Sequence, residues 1–220
     1  MLKAVLFDMD GVLVDSEPYW RQSMINGFKT VGLNITENDC RKTTGMRLDE
    51  VIAFWRKKQN WENKTNLQLH DKIISDLCKT IEEKGKELEG TTNALHYFKS
   101  KNFKIGLASS SNNLLINTVI KKLGITHFFN AIHSAEHLPF GKPHPQVFLN
   151  CADSLAVHPQ ECLVIEDSVN GIIAAKAAKM YTIAIPDAEH RNDKRFIIAD
   201  CMIQSLSEIN EETLSGFFNN

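Results

Sequence analysis

Short apolar runs alternate with helical patterns along most of this chain. The runs span residues 3–8, 103–109, 130–133, 162–166, 181–185 and 201–203. Their length suits strands that are buried on both faces. Each run is followed by a polar or glycine-containing turn and then by a helical pattern. Because this alternation of strand and helix patterns is typical of βα units, the sequence predicts an α/β fold with a Rossmann-like parallel sheet.

One long interval breaks the alternation. From residue 17 to about residue 88 the apolar positions follow helical spacing without a convincing strand run. We therefore expect an all-helical cap over residues 17–87, inserted into an α/β core of residues 1–16 and 88–220. Its hinges would lie near Asp15–Pro18 and Lys86–Gly90. The alternative is a helical bundle that only decorates the core, with Trp55 as an ordinary buried residue.

Size and charge narrow the class of protein. The chain has 220 residues, enough for a sizeable core without oligomerisation, and we expect a monomer. With 25 basic and 27 acidic residues, its net charge of -2 argues against a nucleic-acid partner. Five scattered cysteines and an N-terminal apolar run too short for a membrane span or signal peptide favour a cytoplasmic protein without a membrane partner.

The first apolar run ends in two carboxylates, Asp8 and Asp10, and then in Gly11. Glycine allows the chain to turn tightly where the strand stops. In open α/β sheets, ligands bind beyond the carboxyl ends of the strands, so both aspartates are candidate catalytic residues. An ordinary Asp–Gly turn is the alternative interpretation.

Hydroxyl and amide side chains follow the second run. Ser109, Ser110, Ser111 and Asn113 lie where a strand gives way to a helix predicted to begin near Leu114. A helix N-terminus with free N–H groups suits a phosphate, although a common helix cap would use the same residue types. We interpret these four residues as a candidate phosphate site.

A lysine lies in a stiff loop further along the chain. Lys142 precedes Pro143, and Pro145 follows two residues later. Proline restricts its own backbone and that of the preceding residue, so we expect a fixed ammonium group. Such a group can neutralise both a phosphoryl oxygen and a nearby carboxylate.

Another acidic pair, Glu166 and Asp167, closes the run at 162–166. Together with Asp8 and Asp10 it supplies hard oxygen ligands, and no cluster of cysteine and histidine competes. Carboxylate oxygens are the ligands that Mg²⁺ prefers, so the sequence predicts a magnesium site.

These groups together favour phosphoryl transfer. Asp8 would attack phosphorus and form an aspartyl phosphate, while Asp10 would protonate the leaving alcohol and then activate water. Lys142 and Mg²⁺ would shield the accumulating negative charge.

Four motifs resemble those of the haloacid dehalogenase superfamily, in its phosphatase and phosphomutase branch with a small helical cap. They are Phe7–Gly11, Ser109, Lys142 and Glu166–Asp167, and the resemblance covers essentially the whole chain. It implies a magnesium-dependent phosphatase with the backbone carbonyl of Asp10 at the metal.

Three stretches are similar to bacterial 2-deoxyglucose-6-phosphate phosphatases, also described as hexitol phosphatases. They are residues 45–49, 134–149 and 192–196. This similarity implies a small phosphorylated sugar or sugar alcohol as substrate, with Gly45 and Arg47 contacting it from the cap. Arg47 could instead be a solvated helix charge.

Three other functions stay open. The N-terminal stretch also resembles β-phosphoglucomutase, but Trp20 matches a cap histidine of those mutases and Asn112 matches a lysine, which favours hydrolysis. A non-catalytic binding module is a second alternative, because fold does not imply activity. A metal-free dehalogenase is the third, and it would leave Asp10 and Asp167 without a purpose.

Overall fold

The computed structural model describes residues 2–43 and 45–218, apart from the side chain of residue 218. Residues 1, 44, 219 and 220, which fall within the predicted domain ranges, lie outside the described residues.

Across the described residues, the core is a six-stranded parallel sheet with the strand order β3-β2-β1-β4-β5-β6. The strands are β1 (Ala4–Phe7), β2 (Lys104–Ser109), β3 (Ala131–Ser134), β4 (Cys162–Glu166), β5 (Tyr181–Ala184) and β6 (Cys201–Met202). Each falls within one residue or so of a predicted run. The predicted α/β fold class is confirmed.

The central strand β1 brings the acidic motif to the middle of the sheet. All four of its residues are fully buried, as an uninterrupted apolar strand requires. It pairs on both sides, with Phe7 opposite Leu107 of β2 and Ile165 of β4. Because these three strands run parallel and in register, the residues that follow them meet at one edge of the sheet.

Helices surround the sheet and fill the interval between β1 and β2. That interval contains α1 (Glu17–Lys29), α2 (Glu37–Arg41), α3 (Leu48–Lys58) and α4 (Asn66–Lys84). The later helices are α5 (Thr91–Ser100), α6 (Asn113–Lys122), α7 (Gln146–Ser154), α8 (Val169–Ala177) and α9 (Glu211–Phe218). In the part of the chain described, no helix has both the length and the apolar character needed to cross a membrane.

The helices α1 to α4, which form the helical insert between β1 and β2, pack closely together. α4 begins with a capping box, in which the Thr65 and Gln68 side chains each accept a hydrogen bond from the other residue's backbone N–H. α1 approaches it at Gly27, where an added Cβ would lie 2.3 Å from Ile73 Cγ1. Trp55 of α3 is buried in the same cluster of apolar side chains.

The two segments predicted as hinges lie side by side. The backbone N–H of Asp15 donates to the carbonyl of Lys86 (3.3 Å), and that of Leu88 donates to the carbonyl of Leu13 (3.1 Å). The chain therefore leaves the sheet and returns to it through two backbone segments that lie side by side. We propose that they separate the cap of residues 17–87 from the core.

Candidate active site

A buried lysine links two strands at the edge of the sheet. Lys142 Nζ donates to Asp8 Oδ1 and to Glu166 Oε1, both at 2.6 Å, and to the carbonyl of Ala108 at 3.0 Å. Only 5% of Lys142 and 1% of Glu166 is exposed. The ammonium group is therefore fixed between two carboxylates, as the stiff loop around it predicts.

Burial governs the electrostatics of the triad formed by Asp8, Lys142 and Glu166. Desolvation is the largest influence on Asp8 and raises its pKa to about 7, although Lys142 opposes the rise. Burial also disfavours the charge on Lys142, but Asp8 and Glu166 more than offset it and hold the lysine pKa above its ordinary value. With one ammonium against two carboxylates, the triad keeps an excess of acidic groups.

Asp167 adds a further carboxylate beside them. Carboxylate oxygens of Asp8, Glu166 and Asp167 lie within 4.8 Å of one another. Burial, together with the charges of Glu166 and Asp8, raises the pKa of Asp167 well above its ordinary value. Gly11, at φ +74°, makes room for it, since a Cβ there would lie 2.1 Å from Asp167 Oδ2.

The hydrogen bonds of these carboxylates differ. Both oxygens of Glu166 are used, because Oε2 accepts from the backbone N–H and the hydroxyl of Ser168, each at 2.9 Å. Asp167 makes no side-chain hydrogen bond or ion pair with any residue in ranges 2–43 and 45–218. Its uncompensated oxygens, together with those of Asp8, fit a hard divalent cation better than Glu166 does.

Asp10 accepts hydrogen bonds from three segments of the chain. Ser16 Oγ and Trp20 Nε1 donate to Oδ1, at 2.5 and 2.9 Å, and Ser111 Oγ donates to Oδ2 at 2.6 Å. The carboxylate is thus tied both to α1 and to the loop after β2.

The serine loop after β2 lies at the same edge. Ser109 Oγ accepts a hydrogen bond from the backbone N–H of Ser111 (3.1 Å). The hydroxyl of Ser110 is buried and has no hydrogen-bond partner within the described residues. Asn112, rather than Asn113, caps α6 by accepting from the N–H of Leu115. An unpaired buried hydroxyl at the start of a helix suits an oxyanion ligand.

Asn113 lies apart from this arrangement. It is exposed, and its backbone and side-chain amides both donate to Glu136 Oε2. The structure therefore joins Ser109, Ser110 and Ser111 to the aspartates and keeps the amide of Asn113 engaged elsewhere.

Arg47 bridges the insert and the core. Its Nη1 donates to the carbonyls of Ala135 (2.9 Å) and Leu138 (2.6 Å), while Nε and Nη2 donate to the carboxylate of Asp49. Gly45 adopts φ +78°, and a Cβ there would lie 3.6 Å from Ser168 Cβ. Both residues line a cavity at the site, and substrate contact by Gly45 and Arg47 stays a prediction.

A cavity of about 450 Å³ opens between the sheet edge and the helical insert. The core contributes Asp8, Asp10, Ser109, Ser110, Ser111, Lys142, Glu166 and Asp167 to its lining. The insert contributes, among others, Trp20, Gly45, Arg47 and His70. All predicted site residues except Asn113 line this one space. It has the size of an ordinary small-molecule site.

Two contacts at the site escaped the sequence analysis. The sequence points to Trp20 only through the resemblance to mutases, where it matches a histidine, and to Ser16 only within a predicted hinge. The available signal was their spacing: they lie four residues apart at the start of a predicted helix, and so share one face next to the aspartates. His70, for which the sequence indicates no role, also lines the cavity.

Acidic groups and a buried lysine at the carboxyl ends of parallel strands define a candidate active site of an α/β enzyme. Residues 5–185 match the model of the family described as haloacid dehalogenase-like hydrolase. The chain belongs to this family.

Individual relatives agree with that assignment. Hexitol phosphatase B of Escherichia coli strain K12 is 38% identical over 214 residues, which cover 97% of this chain and 96% of the relative. Beta-phosphoglucomutase of Bacillus subtilis strain 168 is 29% identical, covering 97% of this chain and 94% of that protein. The crystal structure of beta-phosphoglucomutase from Clostridium difficile has a TM-score of 0.85 at 29% identity, covering 100% of this chain and 98% of that one. The predicted family and the prediction of a phosphatase enzyme are confirmed.

Proposed function

We propose that the chain is a Mg²⁺-dependent phosphatase of sugar or sugar-alcohol monophosphates, such as hexitol phosphates or 2-deoxyglucose 6-phosphate. The observation that carries this proposal is the joint position of Asp8, Asp10, Lys142 and Asp167 in the lining of one cavity. The similarity to a hexitol phosphatase over 97% of this chain supports the substrate class.

In the first step, Asp8 is the nucleophile. Its Oδ1 accepts a hydrogen bond from Lys142, so Oδ2 is the oxygen free to bond to phosphorus. As that bond forms, the ester P–O bond breaks, and Asp10 gives its proton to the leaving alcohol oxygen. Lys142 stays charged and stabilises negative charge that develops beside Asp8.

In the second step, water hydrolyses the aspartyl phosphate. Asp10 takes a proton from the water as its oxygen bonds to phosphorus, and the bond between phosphorus and Asp8 breaks. Orthophosphate leaves, Asp8 is again a carboxylate, and Asp10 is again protonated. One group thus serves as acid and then as base, as covalent hydrolases commonly arrange.

Asp8 and Asp167 would hold the Mg²⁺ ion, together with the backbone carbonyl of Asp10 that the family resemblance implies. Bound there, the ion would neutralise phosphoryl oxygens and orient the phosphate for attack. Glu166 fits an indirect role, because Lys142 and Ser168 already occupy its two oxygens. Activity should be lost with EDTA and recovered with Mg²⁺, whereas a metal-free dehalogenase would keep its activity.

The phosphate would be held by Ser109, the free hydroxyl of Ser110 and Lys142. The remainder of the cavity, which extends to Trp20 and Arg47, would hold the polyol. In this proposal the helices of residues 17–87 act as a cap that excludes water from the reacting phosphate. A cytoplasmic location and a monomeric state remain predictions.

Hydrolysis is favoured over isomerisation by Trp20. Where the resemblance to mutases gives a histidine, this indole instead donates a hydrogen bond to Asp10. A purified sample should release phosphate from β-glucose 1-phosphate at least as fast as it forms glucose 6-phosphate. Faster isomerisation would identify a mutase and refute the proposal.

The substrate class can be tested by a phosphate-release panel of hexitol phosphates, hexose 6-phosphates, hexose 1-phosphates and phosphoglycolate. We expect the highest kcat/KM among the six-carbon monophosphates, because a cavity of about 450 Å³ exceeds the needs of phosphoglycolate. Preference for phosphoglycolate would contradict the assignment.

A further inference from the structure

The carboxylate of Asp10 is held more completely than proton transfer alone requires. Its three hydrogen-bond donors come from the segment before α1 (Ser16), from α1 itself (Trp20) and from the loop after β2 (Ser111). Two of these segments belong to the side of the cavity where the chain enters the insert. The orientation of this carboxylate therefore depends on the insert as well as on the core.

The two oxygens of Asp10 are occupied unequally. A carboxylate has about four acceptor positions, two on each oxygen. Ser16 and Trp20 fill both positions of Oδ1, whereas Ser111 is the partner of Oδ2 within residues 2–43 and 45–218. The position left for a transferable proton is consequently on Oδ2.

Trp20 differs from the two serines in what it can do at that carboxylate. A serine hydroxyl donates or accepts, so it can adapt to a protonated oxygen. An indole N–H only donates, so it needs an oxygen lone pair in front of it and binds an unprotonated oxygen more strongly than a protonated one. At 2.9 Å from Oδ1, the Trp20 N–H therefore favours the proton of Asp10 on Oδ2 over a proton on Oδ1.

We propose that Trp20 is a positioning residue, whose indole N–H orients Asp10 so that Oδ2 is the oxygen that exchanges protons with the leaving group and water. This inference rests on the proposed acid and base role of Asp10. The proton moves from Oδ2 to the alcohol oxygen as the P–O bond breaks, and a proton from water returns to Oδ2 in the second step.

The proposal predicts a dependence on the leaving group. A sugar alkoxide is strongly basic and needs a proton as it departs, whereas p-nitrophenolate is weakly basic and leaves without one. The kcat/KM value reports steps up to the release of the leaving group, so hydrolysis of the aspartyl phosphate does not obscure it. A misplaced Asp10 should therefore lower kcat/KM for sugar phosphates and leave kcat/KM for p-nitrophenyl phosphate nearly unchanged.

The test compares Trp20→Phe with the wild type on sorbitol 6-phosphate and p-nitrophenyl phosphate. We expect kcat/KM for sorbitol 6-phosphate to fall roughly 10-fold to 100-fold through kcat, since positioned proton transfer contributes factors of about 10²–10⁴. For p-nitrophenyl phosphate we expect a change of less than about threefold, since its departure needs no acid. Should Trp20→Phe fail to fold, Trp20→Met, which also lacks a donor, takes its place.

Trp55→Phe is the matched control. Trp55 is buried in α3, and its indole N–H has no hydrogen-bond partner within the described residues. Removing that N–H should leave kcat/KM for both substrates unchanged. Equal losses on both substrates in Trp20→Phe would indicate a purely structural role and overturn the proposal, and so would an unchanged rate on sorbitol 6-phosphate.

Asp10→Asn separates this inference from the proposed function. If Asp10→Asn loses activity on sorbitol 6-phosphate far more than on p-nitrophenyl phosphate, its role as acid stands. A Trp20→Phe variant without that selectivity then refutes the positioning role alone. If Asp10→Asn shows no selectivity, the assigned role of Asp10 fails, and the inference about Trp20 fails with it.

Discussion

At the scale of single residues, Lys142 contributes both to the stability of the protein and to its proposed chemistry. Its ammonium lies 2.6 Å from both Asp8 and Glu166, and the three side chains are almost inaccessible to water. A buried charge of this kind is costly unless it is paired, so each partner depends on the others. The same cation then remains available to a phosphate that approaches Asp8.

Lys142→Met should destabilise the protein as well as inactivate it. The substitution leaves Asp8 and Glu166 buried without a counter-ion, and breaking a buried pair in this way typically costs about 3–5 kcal/mol. The free energy of unfolding from urea denaturation measures the loss.

The control for this prediction is Lys3→Met. Lys3 forms an ion pair with Glu161 at 2.5 Å, but its side chain is 61% exposed. Surface pairs contribute about 0–1 kcal/mol, so this variant should unfold almost like the wild type. Similar losses in the two variants would contradict the importance assigned to burial at Lys142.

The residue scale also shows what the sequence could predict. Asp8 and Lys142 lie 134 positions apart, yet both were predicted at one site because the ends of parallel strands converge. The contact between Trp20 and Asp10 was not predicted, because it depends on the direction in which α1 leaves the first loop. No local pattern encodes that direction.

At the scale of elements, α8 fixes the acidic end of β4. The helix begins directly after Ser168, and at Gly171 it approaches so closely that an added Cβ would lie 1.8 Å from Glu166 Cδ. Glu166 in turn anchors Lys142. The position of the helix therefore determines where the buried ammonium lies.

Gly171→Ala should lower both stability and activity. The new methyl group must displace the Glu166 carboxylate or the helix, and overpacking of this kind costs about 1–3 kcal/mol. Thermal unfolding and phosphate release measure the two effects.

Gly216→Ala in α9 is the matched control, since a Cβ there would meet no other element of the described residues within 4 Å. Alanine in an exposed helix should stabilise it by up to about 1 kcal/mol. A Gly171→Ala variant as stable and active as Gly216→Ala would contradict the packing described for α8.

Elements were easier to predict than the contacts between them. Apolar runs predicted the strands to within one residue or so, and helical spacing predicted a helical interval from residue 17 to about residue 88, where α1 to α4 lie between residues 17 and 84. Arg47 illustrates the limit, because its partners Ala135 and Leu138 are backbone carbonyls about 90 positions away. A carbonyl has no signature in the sequence, so only the folded chain reveals this bridge.

At the scale of the whole molecule, metal binding should couple to folding. The unfolded chain cannot bring Asp8 and Asp167 together, so an ion bound between them stabilises the folded state. At 100 times its Kd, a ligand specific for the folded state adds about 2.7 kcal/mol. Mg²⁺ should therefore raise the Tm of the wild type.

Asp167→Asn should lose most of that Mg²⁺-dependent rise in Tm, because it removes an oxygen ligand that has no other described partner. Asp153→Asn, at an exposed position in α7, should keep the full rise. Differential scanning calorimetry with and without Mg²⁺ compares the three proteins. An equal rise in Asp167→Asn would show that the ion binds elsewhere.

The central claim is that Asp8 is the nucleophile of a phosphatase, and phosphate release by Asp8→Asn in the presence of Mg²⁺ tests it most directly. The amide is nearly isosteric but cannot attack phosphorus, so we expect kcat to fall by at least about 10³-fold. Asp15→Asn, an exposed aspartate a few residues further on, should keep the wild-type rate. Release of phosphate by Asp8→Asn at the wild-type rate would contradict the account.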